Sequence, residues 1–412
     1  MRIAYLTQSY PPVVSGAAVV VHGLAEGMAQ RGHQVLVLTA SENANPYEVE
    51  TPGLKVKRFR SIRNPFRNNH YFAPWPHFEI MRALRDFGPN VIHAHDTLQF
   101  ALSSLAYCRA TSTFGVMTAH QLPWFVRSHL PNWAALKDGI ERALWTYSRR
   151  TLCRFNAVVT PTRTIANVVY QRTGIRSRVI GYGIDPEFFY QAALSKTKEI
   201  ALRKQLGVPK NVAVLLHVGR LDVDKSVDRV IRAAALAMTN RNAHLVVIGD
   251  GTEKNNLIAL CNELGIGSRS HFPGFVAREQ GLPDIFRLAS VFVTASEIET
   301  QGLVLLEAAA CGLPLVAVTA TCVPEIVRDG VNGYLAVSGD VAGLGAHIQR
   351  LLDDPVMARR MGLAGSLISQ DCSLEKSLLA HEALYYRAFA RVKSYYSRKK
   401  ERFVLRTSEK DY

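Results

Sequence analysis

The sequence predicts two α/β domains, each built on a doubly wound and mostly parallel sheet. Three observations carry that expectation. Short runs rich in Val, Ile and Leu alternate with longer amphipathic stretches, the pattern of strand–helix crossover units. The alternation breaks at Gly181-Tyr-Gly-Ile-Asp-Pro186 and a polar stretch over 191–204, then begins again. A length of 412 residues suits two domains better than one.

In the first series the strand candidates are 3–7, 35–39, 56–59, 91–95, 116–119 and 157–160, with helix-length segments such as 17–31 and 133–154 between them. The second series has strands at 213–218, 244–248, 291–294 and 315–318 and helices at 226–238, 255–264, 303–311 and 342–352. The expected domains are 1–190 and 191–380, facing across a cleft, with a basic C-terminal helix and tail at 381–412 crossing back to the first domain. In that last segment Tyr385, Phe389, Val392 and Tyr396 recur at helical spacing, and only Glu401 opposes the cations between Arg387 and Arg406. Ligands of such sheets bind beyond the carboxyl ends of the strands, so chemistry is expected in the loops that follow strands.

Composition narrows the partners. With 48% hydrophobic and 20% charged residues, the chain is neither collagen-like nor largely disordered. Its formal charge of +15 calls for an anionic partner, whether nucleic acid, a membrane surface or a phosphorylated small molecule. Six cysteines form no CxxC pair, which fits a reduced, cytoplasmic location. Residues 1–12 contain no signal-peptide apolar segment, and nowhere do about 18 apolar residues run together, so any membrane contact is expected to be peripheral, on the inner face.

The most informative stretch is Ser296–Val316, SEIETQGLVLLEAAACGLPLV. A strand ends in a polar loop holding Glu299, and a helix starts near Gly302-Leu303. The unpaired amides of Gly302, Leu303 and Val304 and the positive end of the helix dipole offer a seat for phosphate. Glu299 and Glu307 suit the hydroxyls of two sugars flanking that phosphate. Glu307 sits among Leu305, Leu306, Ala308, Ala309 and Ala310, and an enclosed carboxylate needs a partner. A second loop, Val218-Gly-Arg-Leu-Asp-Val-Asp-Lys225, offers Arg220 and Lys225 to a diphosphate. It is not a P-loop, because no Gly-Lys-Ser/Thr follows a glycine-rich turn. Asp222-Val-Asp224 imitates a metal pair but reads more simply as a solvated turn, so no metal is expected.

Together these two segments resemble the donor site of glycosyltransferase family 4, retaining enzymes of the GT-B fold. The resemblance extends over nearly the whole chain: Pro11-Pro-Val-Val-Ser-Gly16, Gly32-His33, Thr118-Ala-His120, Gly183-Ile-Asp185, Gly219–Lys225, Gly249-Asp-Gly251, Phe272-Pro-Gly-Phe-Val276 and Glu299–Glu307. It implies that Arg220 and Lys225 hold the pyrophosphate, Glu307 the ribose, Glu299 the transferred sugar and the backbone at Val276 the base. It further implies that Gly16 approaches the diphosphate and that His120 lies beside the reacting sugar. Two positions depart from the family pattern: Gln301 stands where many members have Phe, and Tyr182 replaces the Asn common before Gly-Ile-Asp. The Gln301 variant is similar to enzymes that glycosylate diacylglycerol.

His93 and His95 share a strand face and precede Asp96, a grouping known from metal sites. No third spaced ligand accompanies them, and hydrogen bonds to loop backbone account for them equally well. The cations Lys55, Lys57, Arg58, Arg60, Arg63 and Arg67 occur with no acid between Thr51 and Arg67. With Tyr71, Phe72, Trp75, Phe78, Trp124, Phe125 and Trp133 interleaved, they suggest an anionic membrane interface rather than a solvated face or nucleic acid. The expected activity is metal-independent transfer of a hexose, without cofactor, from a nucleotide sugar (UDP-linked) to a lipid acceptor such as diacylglycerol. A soluble sugar, inositol or a polyprenyl-linked saccharide is the alternative acceptor. A dinucleotide-dependent oxidoreductase is disfavoured because no GxGxxG follows either first strand. A non-catalytic nucleotide-sugar binding subunit is disfavoured by the full set of polar site residues.

Overall fold

The computed structural model describes residues 1–13, 15–63, 71–120, 122–124, 134–190 and 194–387. The chain divides into two compact units, one from Met1–Pro123, Trp133–Gly181 and Lys376–Tyr412, the other from Trp124–Asn132 and Tyr182–Glu375.

The first unit carries β1 (Arg2–Leu6), β2 (Gln34–Ala40), β3 (Tyr47–Thr51), β4 (Leu54–Phe59), β5 (Ile62–Arg63), β6 (Tyr71–Phe72), β7 (Val91–Ala94), β8 (Phe114–Thr118), β9 (Ala157–Thr160) and β10 (Arg178–Val179). Its main sheet runs β10-β9-β8-β7-β1-β2-β4-β3, with β5 and β6 in a separate ribbon. All pairs of the main sheet are parallel except β3–β4 at the edge. Alternation along each strand decides which side is packed. Ala4, Leu6, Leu36, Leu38 and Ile92 meet Ile80 and Leu84 of helix His77–Phe87 and Phe100 of helix Gln99–Thr111 in one core.

The β3 strand was not legible as a strand, because YEVET is polar and charged. It changes the meaning of the basic run that follows. Register sets Glu48 opposite Lys57 and Glu50 opposite Lys55. Glu48 lies 2.8 Å from both lysines. Arg58 is buried, 3.0 Å from Glu42, with its guanidinium on the Pro11 carbonyl and over the Tyr10 and Tyr47 rings. The expectation of an uncompensated cationic stretch at 55–58 is therefore corrected: its counter-charges come from the preceding residues. Arg60 and Arg63 stay exposed, while Arg67, Phe125 and Trp133 lie outside the described residues.

The C-terminal helix, described over 374–387, packs on the first unit from Lys376 onward. Glu382 pairs with Arg31 at 3.0 Å and His33 at 2.8 Å, and the fully buried Tyr385 reaches the Tyr5 hydroxyl at 3.3 Å. The remaining basic tail, with Phe389, Val392 and Tyr396, lies outside the described residues.

The second unit holds β11 (Ala213–Val218), β12 (Ala243–Ile248), β13 (Ser270–Gly274), β14 (Val291–Val293), β15 (Leu315–Val318) and β16 (Gly333–Ala336) in an all-parallel sheet ordered β13-β12-β11-β14-β15-β16. Helices cover both faces, so both must be apolar. Leu215, Leu245, Val247 and Val293 pack with helices Val227–Met238 and Val341–Asp353; Val214, Leu216, Ile248 and Phe292 pack with Leu282–Leu288 and Leu303–Ala310. The β13 and β16 strands were missed because SHFPG carries Pro and Gly and GYLA is short. Within the polar stretch over 191–204 begins helix Lys196–Leu206, capped by Ser195 and ended by Gly207 in the left-handed conformation.

The main segment of the second unit runs from Tyr182 to Glu375. Its ends are tied together: Ile184 bridges Ser373, and the Leu374 amide donates to the Ile184 carbonyl at 2.6 Å. Gly183 has φ +76°, and a Cβ there would stand 2.6 Å from the Leu374 Cα. Gly183→Ala should therefore cost about 2 kcal/mol or more, read as a lowered midpoint in urea unfolding.

Candidate active site

In the second unit the sheet order reverses beside β11: β12 lies on one side and β14 on the other. Crossovers leave these two strands toward opposite faces, so the loops after them are left uncovered. Lys225 closes a 3₁₀ turn, Val223–Lys225, in the loop after β11, and Glu299 lies in the loop after β14. Their side chains meet at 2.6 Å, and Lys225 also donates to Ser296 Oγ at 3.4 Å and the Ile298 carbonyl at 3.5 Å. Beneath them is His217 on β11, whose Nδ1 lies 2.9 Å from the Val293 carbonyl. Burial holds His217 neutral, with its pKa down to about 4.

Arg220 reaches carboxylates of its own loop instead: Asp222, and Asp224 at 2.7 Å. Asp222 in turn accepts from the Thr252 amide and hydroxyl, both at 3.1 Å. Burial pushes the Asp222 pKa up, but the Thr252 donors and Arg220 outweigh it and hold the carboxyl below its usual range. The expected solvated turn is corrected accordingly: Asp224 is buried, and the Asp-x-Asp pair clamps the Arg220 guanidinium.

The helix Leu303–Ala310 begins at Gly302, which takes φ +75° and offers no side chain to cap the first amides at Leu303 and Val304. The two departures from the family pattern touch each other. The Tyr182 amide donates to Gln301 Oε1 at 2.6 Å, so the Glu299 loop is fastened to the segment entering this unit.

Glu307 is 1% exposed. Its partner is Arg278, which sequence reasoning missed; it lies two residues after Val276, in the turn Arg278–Gln280. Val276 itself packs against the Leu303–Ala310 side of the core. Burial raises the Glu307 pKa, and Arg278 pulls it back down. The only sequence signal for such a partner was the enclosure of Glu307.

Gly16 and His120 fall in the first unit. Gly16 opens helix Gly16–Gln30, whose N-cap Ser15 accepts from the Ala18 amide at 3.1 Å. His120 follows β8 and is 7% exposed; its Nε2 meets His95 Nδ1 at 2.7 Å. His93 binds the Tyr385 hydroxyl at 2.6 Å and Thr118 Oγ1 at 2.7 Å. The two histidines of the His-x-His-Asp group thus bond side chains, not loop backbone. Burial, with His381 nearby, lowers the His120 pKa to about 3.

The family model for Glycosyltransferase Family 4 matches residues 14–188, and that for Glycosyl transferases group 1 matches residues 198–366. An uncharacterized glycosyltransferase of Methanocaldococcus jannaschii is 30% identical over 366 residues, 86% of this chain and 90% of that one. This chain belongs to the glycosyltransferases. The N-acetyl-alpha-D-glucosaminyl L-malate synthase of Bacillus anthracis is 25% identical across 91% of this glycosyltransferase and 94% of its own length. The alpha-monoglucosyldiacylglycerol synthase of Acholeplasma laidlawii is 26% identical across 81% and 84%. Among solved structures, sucrose-phosphate synthase from Thermosynechococcus elongatus superposes with a TM-score of 0.79 at 23% identity, covering 95% of this chain and 99% of that one. Anabaena HepE in complex with UDP gives 0.74 at 21% identity, covering 94% and 100%. The fold is GT-B, with two Rossmann-like domains, and the oxidoreductase alternative falls.

The Arg278–Glu307 pair yields a pH test. A buried carboxyl with a raised pKa prefers its protonated form in the folded state, so stability falls as pH rises from its ordinary value of 4.5 through the folded pKa. Arg278→Met removes the compensating charge and should widen that window. The variant should lose about 3–5 kcal/mol near neutral pH and recover part of it in mild acid, measured by urea midpoints across pH.

Proposed function

We propose that this glycosyltransferase moves a hexose from a UDP-linked sugar to a membrane lipid acceptor of the diacylglycerol type, with retention and without a metal. The observation that carries the donor half is the meeting of Lys225 and Glu299 at 2.6 Å beside an uncapped helix start. In this reading the diphosphate takes over Lys225, Arg220 and the amides at Gly302, Leu303 and Val304. Released from Lys225, Glu299 accepts from hydroxyls of the transferred sugar. Glu307 accepts from the ribose, and the backbone at Val276 meets the base. Gly16 and His120, in the first unit, keep the roles that the family resemblance implies. The paired cations are already aimed and desolvated, so they stabilise the departing diphosphate with little reorganisation.

The lipid acceptor has separate support. One relative is named for diacylglycerol chemistry, and Trp75 and Phe78 of the first unit are 80% and 86% exposed. No helix among the described residues is long and apolar enough to cross a membrane, so the contact would be peripheral. The soluble-acceptor reading is favoured by a different observation: Glu48 compensates Lys55 and Lys57, and another relative is named for a malate acceptor. Labelled nucleotide sugars, offered in EDTA to a lipid extract and to a panel of soluble acceptors, separate the two. Transfer into the lipid fraction is the expected result.

In that assay Lys225→Ala and Arg220→Ala should each slow transfer roughly a hundredfold, since losing a cation at a forming diphosphate costs a few kcal/mol. Rates within about twofold of wild type for both would remove the phosphate assignment. The protein should also pellet with phosphatidylglycerol vesicles at low salt, and release as salt shortens the Debye length from ~10 Å at 0.1 M to ~3 Å at 1 M. Trp75→Ser with Phe78→Ser should weaken the binding. Absence of binding at low salt would transfer the proposal to the soluble acceptor.

A further inference from the structure

We infer that His95 is a positioning residue: it fixes His120 as the Nδ1–H tautomer, so that His120 meets the transferred sugar as a neutral hydrogen-bond donor. The inference rests on the sugar-facing role proposed above for His120. His95 follows β7 and His120 follows the neighbouring β8, so parallel pairing brings the two strand ends side by side. The rings stack with centroids 5.0 Å apart and 28° between planes, both buried, and His95 Nδ1 lies 2.7 Å from His120 Nε2.

Two neutral imidazoles joined in this way hold one proton on the line between them, so one nitrogen donates and the other accepts. If His120 donated, His95 would carry its own proton on Nε2. That atom is buried and has no hydrogen-bond partner among the described residues. A buried N–H without an acceptor is rarer and worse tolerated than an acceptor left bare. The favoured arrangement therefore has His95 Nδ1–H donating, His95 Nε2 bare, and the His120 proton on Nδ1.

The surroundings keep the pair neutral. His93 from β7 and Tyr5 from β1 pack on the His95 ring, and His381 and Tyr385 from the C-terminal helix pack on His93 behind it. Burial, with the neighbouring imidazoles, holds His93 and His95 well below the usual histidine range, and burial keeps Tyr5 and Tyr385 protonated. Asp96 follows His95 but accepts from the Leu98 amide at 2.9 Å, and burial lifts its pKa to about 7. His93 is engaged at both ring nitrogens, by the Tyr385 hydroxyl and Thr118 Oγ1, so it does not compete for the proton between His95 and His120.

Multiple-bond ¹H–¹⁵N spectra of histidine-labelled wild-type protein read the tautomer directly. An Nδ1–H signature at His120 is expected, and an Nε2–H signature overturns the inference without any variant having to fold. His95→Leu should leave His120 in mixed tautomers and lower kcat about tenfold to a hundredfold, with the donor KM within about threefold. His95→Asn keeps an N–H close to Nδ1 and should restore most of the rate. Equal loss in both variants with an unchanged His120 signature would reduce His95 to packing and end the proposal. A wild-type rate for His120→Ala would instead overturn the sugar-facing role, a failure distinguishable because the wild-type spectrum needs no turnover.

Discussion

The reversal of strand order beside the first strand of each sheet is the constraint from which the rest follows. A parallel sheet needs crossovers, and where neighbouring strands send them to opposite faces, the loops between go uncovered. In the second unit β11 and β14 flank such a point, and Lys225 and Glu299 come from their two loops. In the first unit β1 and β7 do the same, with Gly16 reached from one and His95 from the other. The buried apolar faces determine where these loops begin. The polar residues occupy the positions that no helix covers.

Those polar residues are arranged as ion pairs, and the pairing has a purpose beyond stability. Lys225 faces Glu299, Arg220 faces two aspartates, and Arg278 faces Glu307. A lone buried cation would be costly to desolvate, whereas a paired one is held in place at smaller cost. The count of charges in these clusters is not positive, so the basic excess of the chain does not reside there. In the proposed reading an arriving anion has to compete with a carboxylate, which would make the cluster discriminating rather than merely attractive.

What was legible in the sequence was whatever depends on local periodicity or on spacing along one segment. The Val- and Leu-rich central strands were visible because burial on both sides makes them nearly continuous apolar runs, broken by single histidines such as His217, and Glu299 and Glu307 were visible because a loop and the helix after it lie within a single stretch. What was not legible depended on partners distant in the chain. Arg278 lies 29 residues from Glu307, and Tyr385 lies 292 from His93. The burial of Asp224 could not be read from a motif that also occurs in solvated turns. The edge strand β3 was hidden for a physical reason: its glutamates look like loop residues until the lysines opposite them are known.

The tie between Ile184 and Ser373 has a consequence for how such proteins diversify. Because the second unit's main segment begins and ends at one paired point, it has the form of an insert in a host chain, its two ends meeting through a 2.6 Å hydrogen bond at Leu374. Segments whose ends meet can be exchanged between hosts without stretching either neighbour. The two units can then be inherited separately, by recombination at two nearby cuts rather than by rebuilding a sheet.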